Sequence, residues 1–290
     1  MSRTPSSERR ASRRFIAPAS AVLLLMLVFP FAYTGYLSLF EWFAAGPPPR
    51  FVGFRNYVDL AHDVRFLSAL ARTLAFTALA VTIEVVLGIA LALMFARPFF
   101  GRGVARTVFL LPMVATPVAI ALVWLLMYDP ATGVLNYLLK LIGLPGSLWV
   151  NDSFLALPAL VLVDVWQWTP IVMLMVLGGL TALPGDPFEA ARMDGATSWQ
   201  IFRYLTLPML RPYIVVAALF RGIDALKTFD SIYVITRGGP NFASETLNLY
   251  IYASAFDYLH FGSSSAMLVV FFAIVLAFSL VLIAFRRKSA

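Results

Sequence analysis

Six ionisable side chains lie in stretches of the sequence that are otherwise apolar, and they are the residues best placed to act on a polar solute. They are Glu84, Asp164, Arg221, Asp224, Lys227 and Asp230. A charged group in an apolar, membrane-length segment is costly, so it is expected to face a cavity, another helix or a partner protein. Four of the six fall within residues 221–230, and this stretch is therefore the strongest candidate for a polar site.

The spacing within this stretch places polar groups on one side of a helix. Arg221, Asp224, Ala225 and Thr228 follow the i, i+3, i+4, i+7 pattern of a single helical face. Two interpretations stay open. Arg221 and Asp224 form an ion pair, extended by Lys227, that only holds a helix bundle together, or the same face lines the path of a solute.

A second apolar stretch offers a matching surface with Asp164, Trp166, Gln167, Trp168 and Pro170. Aromatic rings beside amide and carboxylate groups suit a sugar, because its CH faces lie on rings while its hydroxyls need hydrogen bonds. The proline frees a carbonyl and lets a helix bend beside protein or a cavity. The alternative is that both tryptophans belong to an interfacial aromatic belt.

Composition indicates that membrane helices position these residues. The 290 residues are 61% hydrophobic and 13% charged, against about 25% charged in soluble domains. Six runs are close to or above the ~20 residues needed to cross a bilayer, so we predict an all-α integral membrane protein with six transmembrane helices. The runs are Phe15–Phe40, Leu74–Phe95, Val104–Tyr128, Phe154–Leu183, Tyr213–Ile235 and Ser265–Phe285.

Lys and Arg residues are distributed unevenly between the two sets of connecting segments. Fourteen of the 22 lie in the two termini and in the second and fourth connections, and six lie in the other connections. Cytoplasmic segments carry the excess of Lys and Arg, so both termini are predicted to be cytosolic. We expect residues 1–14 to be a disordered basic tail, residues 15–285 the membrane domain, and residues 286–290 a basic cytosolic end.

Two local features refine the predicted spans. Pro112 and Pro117 predict that the third span is bent near a partner or a pore. An apolar-periodic segment, Leu135 to Ile142, is too short to cross the membrane and is predicted to lie along its outer surface.

The sequence contains no pattern typical of covalent catalysis. Cysteine is absent, and the two histidines, His62 and His260, are far apart. No Ser-His-Asp set, HExxH or phosphate-binding GxxxxGK[ST] loop occurs.

The net charge of +7 follows membrane topology, so nucleic acid is not an expected partner. Transport driven by another polypeptide is favoured over an ion-coupled secondary transporter with Asp224 or Asp164 as the proton site, because inverted repeats are not found.

Between the fourth and fifth spans lies a polar stretch, residues 183–211, here called the elbow segment. Asp186 at the N-cap, Pro187 after it and Glu189 three residues on predict a capped helix. Gly195 predicts its end. We expect Thr197 or Ser198 to cap a second short helix that ends near Leu207 and Pro208.

The elbow segment resembles the E-A-A-x3-G-x9-I-x-L-P loop of permease subunits of ATP-binding-cassette importers. The residues in register are Glu189, Ala190, Ala191, Gly195, Leu207 and Pro208, and Leu205 replaces the isoleucine. The segments PM-V-A-TP, DVWQWTP and FDSIYVITRGGP resemble the carbohydrate branch, which includes permeases for maltose, trehalose and glycerol phosphate. The similarity covers nearly the whole chain from Phe15 onward.

This resemblance implies a type I importer fold and a function in sugar import by alternating access. It implies a second homologous permease, an ATPase dimer that binds ATP and Mg, an extracytoplasmic solute-binding protein and a location in the bacterial cytoplasmic membrane. Coupling to the ATPase is implied for residues 186–208, with Glu189, Ala190, Ala191, Asp194 and Gly195 in that role. The implied solute path contains Gln167, Trp168, Ile171, Arg221, Asp224, Ala225 and Thr228.

The sequence leaves two points about the solute path open. Maltose-type permeases have aromatic and amide groups where this chain has Arg221 and Asp224, so either this subunit or its partner permease contacts the solute. An exposed Arg221 favours an anionic sugar, whereas a pair with Asp224 removes that preference.

Overall fold

The computed structural model describes residues 5–287, with side chains described for residues 17–284. These residues form thirteen α-helices, a two-stranded sheet and three short 3-10 or π turns. The helices are α1 (Pro5–Leu37), α2 (Arg55–His62), α3 (Val64–Ala96), α4 (Arg102–Val114), α5 (Pro117–Met127), α6 (Val134–Leu141), α7 (Ala156–Thr181), α8 (Asp186–Met193), α9 (Ser198–Ile201), α10 (Leu207–Leu226), α11 (Asp230–Ile235), α12 (Leu247–Tyr252) and α13 (Phe261–Arg287).

Four of the described helices are long and apolar enough to cross a membrane. They contain the segments Ala17–Leu37, Val64–Ala96, Ala156–Thr181 and Phe261–Ala284. A fifth span results if α4 and α5, which meet at an angle of 98°, count as one broken span. The all-α membrane architecture is therefore confirmed, whereas the count of six spans stays a prediction.

The third predicted span is broken rather than continuous. α4 ends at Val114, and Ala115 and Thr116 are extended, with ψ angles of 149° and 142°. A proline disfavours the helical conformation of the residue before it, and Pro117 is the first residue of α5. The bend predicted from the prolines is thus confirmed, and it divides the predicted span into two helices, α4 and α5.

The fifth predicted span is also interrupted. α10 ends at Leu226, and α11 begins only at Asp230. The helix starts earlier than predicted, at Leu207, inside the elbow segment. The single helix predicted over residues 213–235 was therefore wrong in its outer part.

The boundaries at the two ends of the chain also differ from the prediction. α1 begins at Pro5, so the expectation of a disordered tail was wrong for residues 5–14. Residues 1–4 lie outside the described part of the chain, as does Lys288 in the predicted basic end.

The chain divides into two compact units. One unit comprises Met1–Asp63 and Ile251–Phe272. In it a short antiparallel sheet pairs Phe40 with Phe51, and the amide of Asn56 donates to the carbonyl oxygens of Ser38 and Phe40 at 2.7 and 2.9 Å. These bonds fix the chain where it leaves the first long helix.

The other unit comprises Val64–Tyr250 and Ala273–Ala290 and contains both candidate regions. Its centre is the pair α3 and α7, whose close approach depends on Gly88. A Cβ at this position would lie 2.5 Å from Cγ1 of Val172, far inside van der Waals contact. Ala92, Phe95 and Met173 are fully buried in the same cluster, so tight packing between these two helices positions the side chains that follow.

The short segment predicted at the outer surface is present as α6, one residue earlier than expected (Val134–Leu141). Asn136, in the first turn of this helix, is buried and makes several hydrogen bonds with the rest of the connection. Its amide donates to the carbonyl oxygens of Pro130 and Ser147 at 2.9 Å, and its oxygen accepts from Nε1 of Trp149 at 2.8 Å. One polar side chain thus organises this connection.

Candidate functional site

A buried arginine joins three helices of the larger unit. Nε and Nη2 of Arg221 donate to the two carboxylate oxygens of Glu84 at 2.8 and 3.0 Å. Nη2 also donates to Oδ2 of Asp164 at 2.8 Å, and Nη1 donates to Oδ2 of Asp224. We call these four residues the Arg221 cluster.

Three of the four side chains of the Arg221 cluster are buried. The side chains of Arg221 and Glu84 are 0% exposed and that of Asp164 is 3% exposed, whereas that of Asp224 is 46% exposed. A buried charge is tolerated only when it is paired and its hydrogen-bonding positions are filled. The guanidinium meets this condition because its donors bond to carboxylates on α3, α7 and α10. The cluster is therefore an ionic joint, that is, a set of ion pairs that connects three helices.

The ion pair between Arg221 and Asp224 that the first interpretation of residues 221–230 predicts is present. Its membership differs from the prediction, because Glu84 and Asp164 extend the pair and Lys227 does not. Lys227 and Asp230 are both exposed. The preference for an anionic sugar that an exposed Arg221 would give is removed, since Arg221 is buried among carboxylates.

The seven predicted path residues divide into two groups by exposure. Three of them, Gln167, Arg221 and Ala225, are buried, and four, Trp168, Ile171, Asp224 and Thr228, are partly exposed. The ring of Trp168 lies over the guanidinium of Arg221, with 5.1 Å between the centroid and Cζ. Trp168 and Asp224 therefore flank the same arginine from different helices.

Gln167 is buried and its amide nitrogen has no hydrogen-bond partner among the described residues. An unpaired buried donor costs stability. Of the two tryptophans next to Gln167, Trp166 is 44% exposed and packs edge-on against Trp124 at 5.6 Å. Only Trp168 contacts the Arg221 cluster.

The elbow segment has a well-defined turn at its centre. α8 ends at Met193, and Gly195 follows with φ of +77°. The amide of Ala196 donates to the carbonyl of Ala191 at 2.9 Å, and that of Gly195 donates to the carbonyl of Arg192 at 3.1 Å. This is the Schellman arrangement, which favours glycine at the left-handed position. The stop predicted at Gly195 is confirmed.

Of the two helix starts in the elbow segment, the first differs from the prediction, and the second confirms the cap predicted at Thr197 or Ser198. Asp186 is the first residue of α8 rather than its N-cap, and the Gly185 cap has no side-chain bond, so the capping box with Glu189 was wrong. A capping box is present at Thr197 instead. Its hydroxyl accepts from the amide of Gln200, and the Gln200 side chain accepts from the amide of Thr197 at 2.7 Å.

The second helix does not end at Leu207 and Pro208. α9 passes through a π-helical turn, Phe202–Thr206, directly into α10. Pro208, which cannot donate a backbone hydrogen bond, lies in the first turn of α10, directly after the π-helical turn. The elbow segment is thus continuous with the helix that carries Arg221.

The surface of the elbow segment is open to a partner. Met193, Trp199 and Tyr204 are 88%, 67% and 73% exposed. A cleft of about 390 Å³ is lined by Ala191, Asp194, Gly195 and Tyr204, among others. Three of the five predicted coupling residues border this cleft, whereas Glu189 borders a different one; Ala190 is exposed and borders neither.

One ionic contact was missed by the sequence analysis. Arg65, at the start of α3, donates to both oxygens of Glu245 at 2.9 and 2.7 Å and lies over the rings of Phe242 and Tyr250. Nε of Arg72 donates to the backbone carbonyl of Glu245 at 2.8 Å. The loop before α12 is therefore held on α3. The pairing joins residues 180 positions apart, which no local pattern indicates.

Among the residues described, no group of three or more His, Asp or Glu side chains is arranged to hold a metal ion. The acidic members of the Arg221 cluster are engaged by a guanidinium instead.

Comparison with known protein families gives one match that covers most of the chain. Residues 84–289 match the family described as "Binding-protein-dependent transport system inner membrane component". The matched range contains the Arg221 cluster and the whole elbow segment.

Relatives of similar length support this match. The chain is 41% identical over 271 residues to a probable ABC transporter permease protein of Sinorhizobium fredii, covering 93% of this chain and 87% of the relative. It is 35% identical to the permease protein of a trehalose/maltose transport system of Thermococcus litoralis, with 94% and 92% covered. A solved bacterial ABC transporter involved in import of the acidic polysaccharide alginate has the same fold, with a TM-score of 0.80, 22% identity, and 97% and 99% of the two chains covered.

Proposed function

Because the chain belongs to the family of binding-protein-dependent transport system inner membrane components, it is a multi-pass permease subunit of an ATP-binding-cassette importer, and we propose that it provides half of the path for a sugar. The subunit carries out no catalysis, and hydrolysis of ATP belongs to the partner ATPase. Family membership gives no support to the ion-coupled alternative with Asp224 or Asp164 as the proton site.

The observation that carries the sugar assignment is the similarity to the trehalose/maltose permease over 94% of this chain. The exposed groups beside the Arg221 cluster are consistent with it. The ring of Trp168, the carboxylate of Asp224 and the hydroxyl of Thr228 are partly exposed, and they provide one apolar face and two hydrogen-bonding groups. We infer that these residues and Ile171 meet the solute, and that the buried Gln167, Arg221 and Ala225 support them.

The charge of the exposed groups favours a neutral sugar. The side chain of Arg221 is not exposed, whereas the carboxylate of Asp224, in the same cluster, is partly exposed. A carboxylate repels an anionic solute and accepts hydrogen bonds from hydroxyl groups. We therefore propose that the path prefers a neutral sugar over a phosphorylated or sulfonated one.

The elbow segment is proposed as the coupling element that docks on the ATPase. The support is its exposed apolar side chains, the cleft bordered by Ala191, Asp194 and Gly195, and its continuity with α10. A rigid connection from a docking helix to the helix of Arg221 would convert closure of an ATPase dimer on ATP and Mg into movement of the solute path.

The proposed assembly contains a second homologous permease, two ATPase copies and an extracytoplasmic solute-binding protein. The Lys and Arg residues of the terminal segments and of the elbow segment favour cytosolic termini, which are consistent with an even number of spans such as six. The same distribution supports the proposal that the elbow segment faces the ATPase on the cytosolic side of the bacterial cytoplasmic membrane.

A charge reversal at Glu189 tests the coupling proposal. The side chain is exposed on α8 and makes no ion pair among the described residues. Glu189→Arg is expected to leave the thermal unfolding of the permease unchanged and to lower solute-stimulated ATP hydrolysis by roughly ten- to a hundredfold, which corresponds to the loss of one charged contact of about 1.5–3 kcal/mol. The measurements are unfolding by scanning fluorimetry and hydrolysis in proteoliposomes.

Asp186→Arg is the matched control, because Asp186 is an exposed acid in the first turn of the same helix and is not one of the five residues to which the coupling role is assigned. It is expected to retain hydrolysis. Equal loss in both variants, or no loss in Glu189→Arg, would refute a specific coupling role for Glu189.

A further inference from the structure

A second and larger cleft lies where three membrane helices meet the elbow segment. Its volume is about 840 Å³, and it is bordered by the last residues of α3 and α7, by the first residue of α4, and by α8 and α9. All three of those longer elements belong to the membrane-crossing candidates. The cleft therefore lies at the ends of helices that are candidates to cross a membrane.

Three arginines surround this cleft without a partner of their own. Arg97, Arg102 and Arg192 line it, and none of their side chains makes a hydrogen bond or ion pair with any residue in the described part of the chain. One acid, Glu189, lies in the same lining. The lining of the cleft thus carries an excess of two positive charges that no described side chain neutralises.

The rest of the lining is apolar. Leu93, Leu180, Phe188 and Phe202 contribute side chains to it, and Trp199 borders it with 67% of its surface exposed. Tryptophan is favoured at the boundary between hydrocarbon and head groups. A soluble anion would use the guanidinium groups but leave this apolar lining uncovered.

We propose that this cleft binds an anionic phospholipid of the cytosolic leaflet. Its phosphate would be held by Arg97, Arg102 and Arg192, and an acyl chain would cover Leu93 and Phe202. Basic pockets at the cytosolic ends of membrane helices attract acidic head groups, and arginine suits phosphate because its donors match two oxygens at once. The proposal uses the cytosolic placement of the elbow segment and is independent of the solute carried.

The test measures lipid binding directly. The full-length chain, purified with the subunits that accompany it, is titrated in mixed micelles with phosphatidylglycerol or phosphatidylcholine, and bound lipid is counted by native mass spectrometry. The wild type is expected to retain phosphatidylglycerol selectively. The triple variant Arg97→Gln/Arg102→Gln/Arg192→Gln is expected to lose on the order of a hundredfold in affinity for it, at about fivefold for each arginine.

The matched control is a variant that removes the same number of positive charges at positions outside the cleft. Arg106, Arg203 and Arg211 are exposed arginines of the same cytosolic connections and do not line it. Their triple replacement by Gln is expected to retain wild-type selectivity. Equal loss in both triple variants would overturn the proposal, because general surface charge would then explain the binding.

Two further outcomes would assign the cleft to another occupant. Displacement of phosphatidylglycerol by millimolar inorganic phosphate would overturn the proposal in favour of a soluble anion. Unchanged lipid retention together with loss of the ATPase from the purified triple variant would overturn it in favour of an acidic surface of that subunit. Neither outcome depends on sugar uptake, so the lipid proposal and the transport proposal fail separately.

Discussion

The arginine of the Arg221 cluster and the arginines of the larger cleft beside the elbow segment have opposite environments. Arg221 is fully buried and is held by three carboxylates on three helices, whereas Arg97, Arg102 and Arg192 border an open cleft and have no partner in the described chain. Burial of a charge requires that its partners come from the same fold. An exposed guanidinium does not need a partner from the same fold, and it is available to bind another molecule.

This contrast separates residues that set the fold from residues that act on partners. The Arg221 cluster joins α3, α7 and α10, and only Asp224 reaches its surface. The elbow segment has exposed charges, exposed aromatic side chains and two clefts. We expect substitutions in the first region to lower stability and those in the second to lower coupling or lipid binding.

The largest effect is expected from Arg221→Met. Loss of the guanidinium leaves Glu84 and Asp164 buried without a cation, which costs about 3–5 kcal/mol. The permease should unfold at a markedly lower temperature in scanning fluorimetry. Arg203→Met, at an exposed position of the elbow segment, should unfold like the wild type. Equal unfolding temperatures for the two variants would contradict the role of the Arg221 cluster as an ionic joint.

An intermediate effect is expected at the pair of Arg65 and Glu245, whose side chains are 26% and 4% exposed. Glu245→Gln replaces a bidentate charged contact with a neutral one and should cost about 1.5–3 kcal/mol locally. Hydrogen exchange of residues 236–246 should become faster while that of α7 stays slow. Unchanged exchange in the loop would show that Arg65 does not hold it.

A smaller effect on stability, but a change in selectivity, is expected from Asp224→Asn. The side chain is half-exposed, so its contact with Arg221 contributes at most about 1 kcal/mol. Removing the charge should allow measurable uptake of an anionic sugar, compared with a neutral one in the same proteoliposomes. Unaltered selectivity would place Asp224 outside the solute path.

The smallest effect is expected from a pair of substitutions in the elbow segment. Thr197→Ala removes a cap that the structure contains and should cost about 1 kcal/mol of local stability. Asp186→Asn changes a residue that caps nothing and should have no such effect. Hydrogen exchange of α9 and α8 measures both. The reverse order of effects would restore the capping box predicted for Asp186.

Sequence patterns predicted the parts of the fold that local chemistry determines. The long apolar runs, the bend before Pro117, the stop at Gly195 and the short helix over Val134–Leu141 follow from propensity and backbone geometry, which neighbouring residues fix. The cap assigned to Asp186 was wrong, whereas the cap predicted at Thr197 or Ser198 is present at Thr197. All of these positions carry an acceptable capping residue, and only the backbone conformation selects among them.

The partners of charged residues were less predictable. Asp224 lies one helical turn from Arg221, and its pairing could be foreseen. Glu84 is 137 positions away in sequence from Arg221, and only the packing of α3 against α10 brings the two together. The interruption after Leu226 was missed for a similar reason, since tertiary contacts such as the bond from Asn248 to the carbonyl of Lys227 stabilise it.

The most direct test of the transport function is ATP hydrolysis by the complete complex in proteoliposomes, with and without its solute-binding protein, against a panel of neutral and anionic sugars. We expect hydrolysis to rise only when the binding protein carries one neutral sugar. Hydrolysis that is indifferent to the binding protein and to every sugar, or a permease that purifies without any ATPase, would contradict the assignment of this chain as a sugar importer subunit.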